Sequence, residues 1–147
     1  MKCVLWQPEI PQNTGNIART CAATGVGLVL VRPLGFSLAN RHMRRAGLDY
    51  WDRVAVELVD ELESGSAPLF FFSSKANARY SDAKFTSDAL LVFGSETRGL
   101  PQELWENYPD RFYKIPMIEG QRCLNLASSA AIVIYEALRQ LNFMPIT

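Results

Sequence analysis

The sequence is short of the residues on which several kinds of chemistry depend. Its 147 residues include one histidine, His42, and three cysteines, Cys3, Cys21 and Cys123, which lie far apart with no Cys-x-x-Cys pair. That scarcity argues against a zinc site and against a histidine-based nucleophilic triad. An odd number of scattered cysteines reads most simply as reduced thiols in a cytoplasmic protein. A charge excess is missing too: 15 Lys and Arg face 15 Asp and Glu, a formal net charge of zero. The strongly basic balance that would point directly to nucleic acid is therefore absent, although a zero sum leaves room for a local basic patch. No apolar run is long enough to span a bilayer. The amino terminus passes from one lysine straight into Cys3-Val4-Leu5-Trp6, which reads as a first strand rather than a signal peptide. A dinucleotide fingerprint is lacking, because Gly25-Val26-Gly27 precedes a strand and no third glycine follows in time. A Walker-type phosphate loop is lacking as well. No metal is expected.

What is present is an ordinary globular balance, 48% hydrophobic and 20% charged, long enough for one domain over residues 1–147. Lys2 to Trp6 reads as a strand, ended by Pro8 and Pro11. Asn13 or Thr14 can cap the helix that follows and Gly25 can close it. Leu28 to Val31 is a second strand, broken by Pro33 and Gly35. Ala39 to Ala46 predicts a short arginine-rich helix, Trp51 to Val56 a third strand, and Val59 to Leu62 part of a helix. Leu69 to Phe72 and Ala89 to Phe93 are strands with no polar residue. The segment between them, Ala76 to Thr86, is polar and irregular. Phe112 to Ile115 is the last strand, ended by Pro116, and Asn125 to Leu141 is one long amphipathic helix. Strands that are apolar on both faces, alternating with helices, predict an α/β fold with a mainly parallel sheet covered on both sides.

The stretch Leu91-Val92-Phe93-Gly94-Ser95-Glu96-Thr97-Arg98-Gly99-Leu100-Pro101 stands out. A buried strand stops at a glycine-bounded polar loop, the place where open α/β sheets put their ligands. Gly94 and Gly99 let backbone approach a ligand closely. Glu96 and Arg98 carry opposite charges on that loop and could also form a plain surface ion pair. Pro101 then suits the first turn of a short helix.

Three segments in order, Asn13 to Thr20, Phe93 to Leu100, and Ile115-Pro116-Met117 with Cys123 to Ala130, resemble the three motifs of the SPOUT methyltransferases. The opening Gln7 to Asn16 and the run Arg44-Arg45-Ala46-Gly47-Leu48-Asp49-Tyr50 narrow the likeness to the branch that methylates RNA ribose 2′-oxygens, closest to members acting on the wobble nucleotide 34, cytidine or uridine, of leucine tRNAs. The resemblance runs from about Val4 to Leu141. It implies a trefoil knot near the carboxyl terminus, S-adenosylmethionine held among the knot loops, a homodimer paired through the first and last helices, and a tRNA anticodon stem-loop as partner. It implies adenosine contacts from main-chain groups at Gly94, Ile115, Cys123 and Leu124. Phe72 joins them by its place at a strand end, although Phe72 and Ile115 also read as plain core residues. The resemblance departs at Cys123, where close relatives usually have serine.

The resemblance also places Asn125 in the donor site, where helix capping alone would account for it equally well. It places Glu96 in the active-site loop and Arg19 at the end of the first motif. Asn16 and Arg19, three residues apart, share a helix face, with Asn13 completing a polar cluster. A guanidinium gives up its proton only above about pH 12. The expected role of Arg19 is therefore to grip RNA phosphate and polarise the 2′-hydroxyl, with the proton leaving to a phosphate oxygen or water. Arg41, His42, Arg44 and Arg45, with Lys75, Arg79 and Lys84 further on, are the candidate RNA grip, or else charges that only solubilise the surface.

Overall fold

The computed structural model describes residues 1–38, 53–63 and 65–144. Seven strands among them form one sheet: β1 (Lys2–Trp6), β2 (Gly27–Val31), β3 (Val56–Val59), β4 (Leu69–Phe72), β5 (Ala78–Arg79), β6 (Leu90–Phe93) and β7 (Phe112–Lys114). Their order across the sheet is β3-β2-β1-β6-β4-β7-β5, and every pairing is parallel. The α-helices among the described residues are α1 (Pro11–Thr24), α2 (Gln102–Asn107) and α3 (Leu126–Gln140).

The apolar strands follow from burial on both sides. Along β4, Phe70 and Phe72 join one core, while Leu69 and Phe71 join the other. β6 divides in the same way, Leu91 and Phe93 against Leu90 and Val92. The first core is closed by Ile17, Ala18 and Cys21 of α1 with Ala130, Val133, Ile134, Ala137 and Leu138 of α3. Leu104 and Trp105 of α2 pack against the second. Side chains alternate faces with a period of two, so a strand covered on both faces has no position for a polar residue. Cys3 and Cys21 lie side by side in the first core. Their hydrogen bond, reinforced by burial, pushes the Cys3 thiol well up and keeps it protonated and inert.

Several predicted elements shift. Of the strand predicted over Trp51 to Val56, residues 51–52 lie outside the described residues; the described strand begins at Val56, and Val59 closes it instead of entering a helix. It is an edge strand paired only with β2, and its short apolar run fits strand or helix equally well. The predicted helix Ala39–Ala46 lies outside the described residues. The polar segment after β4 contains a two-residue strand, β5, that pairs with β7. α1 begins at Pro11, ahead of Asn13 and Thr14; its cap position is Ile10, which offers no side-chain acceptor. Proline at the first helical position needs no partner for a missing N–H, so the helix starts three residues before an Asn13 cap would have started it. Gly25 closes it in the left-handed conformation at φ 68°, as the sequence predicts.

Candidate active site

β4, β6 and β7 all end at one place. Beyond Phe72, Phe93 and Lys114 their continuations line a cleft of about 420 Å³ whose other wall is the segment Met117 to Ser129 and the start of α1. The sheet order changes direction in this region, with β6 inserted between β1 and β4, and crevices at such points are where parallel sheets bind ligands. Phe72, Gly94, Ile115, Cys123, Leu124 and Asn125 all line it. Phe72 is also a core residue, stacked on Phe93 with ring centroids 4.9 Å apart, so the two readings of that residue are compatible.

Gly94 is required by the chain itself. A Cβ there would stand 2.2 Å from the carbonyl carbon of Gly99 and 2.4 Å from the Leu100 nitrogen. The loop folds back on its own strand, closed by paired hydrogen bonds between the Ser95 and Gly99 backbones, with Gly99 at φ 69°. The close approach predicted for these glycines is therefore first an approach of the loop to itself.

Glu96 makes no ion pair with Arg98. Its Oε2 accepts from the Glu9 backbone N–H at 2.8 Å, and its Oε1 accepts from the Ile10 N–H at 3.0 Å and from Asn13 Nδ2 at 3.1 Å. A carboxylate 80-odd residues away in sequence thus supplies the cap that α1 lacks, as the third helical residue does in a capping box. Arg98 turns to Glu9, Nε to Oε1 at 3.6 Å, and the same carboxylate accepts from Thr97 Oγ1 at 2.7 Å. Asn13 is only 6% exposed, unlike Asn16 and Arg19 on the outer side of α1, so the predicted cluster of three splits. Its Oδ1 accepts from Asn125 Nδ2 at 2.9 Å, and Asn125 Oδ1 caps α3 by accepting from the N–H groups of Ala127 and Ser128. All three motif segments are therefore joined by hydrogen bonds at the cleft.

Asn16 and Arg19 do not line the cleft. Arg41, Arg44 and Arg45 lie outside the described residues. Sequence reasoning missed Ser73, Ser74 and Trp105 in the lining. Ser74 Oγ lies 3.2 Å from Cys123 Sγ, across the cleft. The polar pair directly after an apolar strand was the available signal for the serines. Trp105 gave none, because its place depends on stacking against Phe112 with centroids 3.6 Å apart. Among the described residues no cluster of metal-ligating side chains occurs and no helix is long and apolar enough to cross a membrane.

Residues 1–135 match the model of the SpoU rRNA Methylase family. A tRNA (cytidine(34)-2′-O)-methyltransferase of Methylovorus glucosotrophus is 46% identical over 146 residues, spanning 95% of each chain. A solved structure from work on the 2-OH methylation of C/U34 on tRNA superposes with a TM-score of 0.89 at 46% identity, covering 96% of this chain and 95% of that one. The SpoU methyltransferase AviRb of Streptomyces viridochromogenes, solved in complex with AdoMet, shares the fold at 24% identity and a TM-score of 0.84, with 97% of this chain and 58% of that one covered.

Proposed function

This chain belongs to the SpoU methylase family, and from that premise we propose that it transfers the methyl group of S-adenosylmethionine to the ribose 2′-oxygen of nucleotide 34 in a tRNA. The observation that carries the proposal is the meeting of all three motif segments at one cleft at the strand ends. The cleft fits the donor in size and chemistry. About 300–1,000 Å³ is usual for small-molecule sites, mainly apolar with a few fixed polar groups, and here Phe72, Ile115 and Leu124 give apolar walls beside the polar loop Ser95 to Arg98. Phe72, Gly94, Ile115, Cys123, Leu124 and Asn125 would hold the donor. When bound, it supplies an electrophilic methyl group.

The chain's own residues then position the acceptor. The Arg19 guanidinium can hold RNA phosphate and polarise the 2′-hydroxyl. Since Arg19 lies outside its own cleft, the proposal includes a homodimer in which Arg19 of one copy reaches the cleft of the other. α1 and α3 pack side by side over one sheet face, and Ile132 and Tyr135 of α3 remain 37% and 50% exposed, an apolar strip suited to a second copy. Arg41, Arg44 and Arg45, with Lys75 at the cleft, would grip the anticodon stem-loop.

Radiolabelled methyl transfer to undermethylated tRNA, followed by mass-spectrometric mapping, tests the reading. Label at the ribose of nucleotide 34 is expected. Label elsewhere moves the target, and no transfer with any tRNA, together with no donor binding, refutes the function.

A further inference from the structure

The link from Glu96 through Asn13 to Asn125 has a polarity fixed at both ends. Ionised Glu96 can only accept, and the N–H groups of Ala127 and Ser128 can only donate. Between them, each asparagine must turn its NH2 toward Glu96 and its oxygen toward α3. The distances, 3.1 Å, 2.9 Å and 2.8 Å along the line, are all those of made bonds. Three donors converge on the Glu96 carboxylate, one at Oε2 and two at Oε1. Together they take three of the carboxylate's roughly four lone-pair sites.

We propose that Glu96 is a positioning residue, and that the directional chain Glu96–Asn13–Asn125 fixes the starts of α1 and α3 against each other at the donor cleft. The carboxylate takes no 2′-proton. The inference rests on the reading of the cleft as the donor site. Its consequence is that the two asparagines are not interchangeable with aspartate. An Asp at position 13 has no donor for Glu96 and places carboxylate against carboxylate. An Asp at position 125 still caps α3 but faces the Asn13 oxygen with another acceptor.

The test measures donor affinity by calorimetry, single-turnover methyl transfer against pH, and amide exchange at Ala127 and Ser128, in the parent and in Glu96→Gln, Asn13→Ala, Asn125→Asp and their pairwise combinations. Glu96→Gln is expected to weaken donor binding about tenfold or more, the loss of one hydrogen bond to a charged group. The double variants should be no weaker than the worse single one, because they cut one chain. The pH profile should keep its shape, and exchange at Ala127 and Ser128 should rise in Glu96→Gln although that substitution touches neither residue. Should Glu96→Gln fail to fold, the Asn13→Ala and Asn125→Asp pair carries the same non-additivity. Full additivity overturns the proposal. So does a Glu96→Gln variant with parental donor affinity and exchange but a collapsed transfer rate and a lost pH limb, the signature of a proton acceptor. A parent protein that binds no donor refutes the function instead, and the exchange arm still decides whether the chain couples α1 to α3.

Discussion

Replacing Gly94 by alanine perturbs the cleft at its tightest point. The added Cβ would meet the Gly99 carbonyl carbon at 2.2 Å, the Leu100 nitrogen at 2.4 Å and the Gly99 Cα at 2.7 Å. All three are backbone atoms, so no side-chain rotation relieves the contact, and the loop must leave the end of β6. Overpacking that side chains can absorb costs about 1–3 kcal/mol; with backbone on the far side, about 3 kcal/mol or more is expected. Gly99→Ala is the control on the same loop. It meets nothing within 4 Å, but its φ of 69° is left-handed. That conformation costs about 1–2 kcal/mol for an ordinary residue. At roughly 3–4 °C per kcal/mol for a chain of this size, Gly99→Ala should melt about 3–8 °C below the parent and still bind S-adenosylmethionine. Gly94→Ala should melt at least about 10 °C lower, or keep its sheet and lose the donor site. Thermal melts by circular dichroism, paired with donor calorimetry, separate these outcomes. A Gly94→Ala protein that melts and binds like the parent would refute the account of the loop folded on its own strand.

Arg19→Ala should leave donor affinity nearly unchanged while single-turnover transfer falls by about two or more orders of magnitude, as for loss of a preorganised contact at a reacting centre; a parental rate would remove Arg19 from the reaction. Asn125→Ala should lower stability by about 1 kcal/mol through the lost cap and weaken donor binding as well, read by chemical denaturation and calorimetry. Light scattering at micromolar concentration should give twice the chain mass of 16.5 kDa, and a species at that mass alone would contradict the dimer. The Arg139 guanidinium, and after it the Gln140 amide, hold the Glu136 carboxyl below its usual range. A depressed folded-state value gives stability that is present above the unfolded value and lost as pH falls through the folded one. Glu136→Gln should therefore lose stability at neutral pH and show a shallower decline in acid than the parent, followed by urea melts from pH 7 downward.

The sheet was legible because β2, β4 and β6 have no polar residue to place, a pattern that only burial on both faces explains. β3 was not, because Val56-Glu57-Leu58-Val59 at an edge, half covered, carries no clean period. At the site, Phe72, Gly94 and Ile115 could be anticipated from their places at strand ends. The partner of Glu96 could not. Arg98 is two residues away and of opposite charge, whereas the actual partners, Glu9, Ile10 and Asn13, come together only once β1 and β6 lie side by side. Local sequence favours the near ion pair, and tertiary structure replaces it with backbone donors left over from a helix that starts on a proline. The beginning of α1 was misplaced for the same reason, since its cap comes from a loop synthesised much later.

That arrangement also bears on how the protein comes into being. The hydrogen bonds that build the cleft join residues 83 to 112 positions apart, and the last of them waits for Asn125. Contacts of such long range form late, after the chain has closed large loops. A nascent chain extended through the loop after β6 has Glu96 but no third wall and no second helix cap. The donor can then have no place to sit until nearly the whole polypeptide is made. Donor binding would thus mark completed synthesis, and a chain cut short before α3 would have no methyl group to transfer.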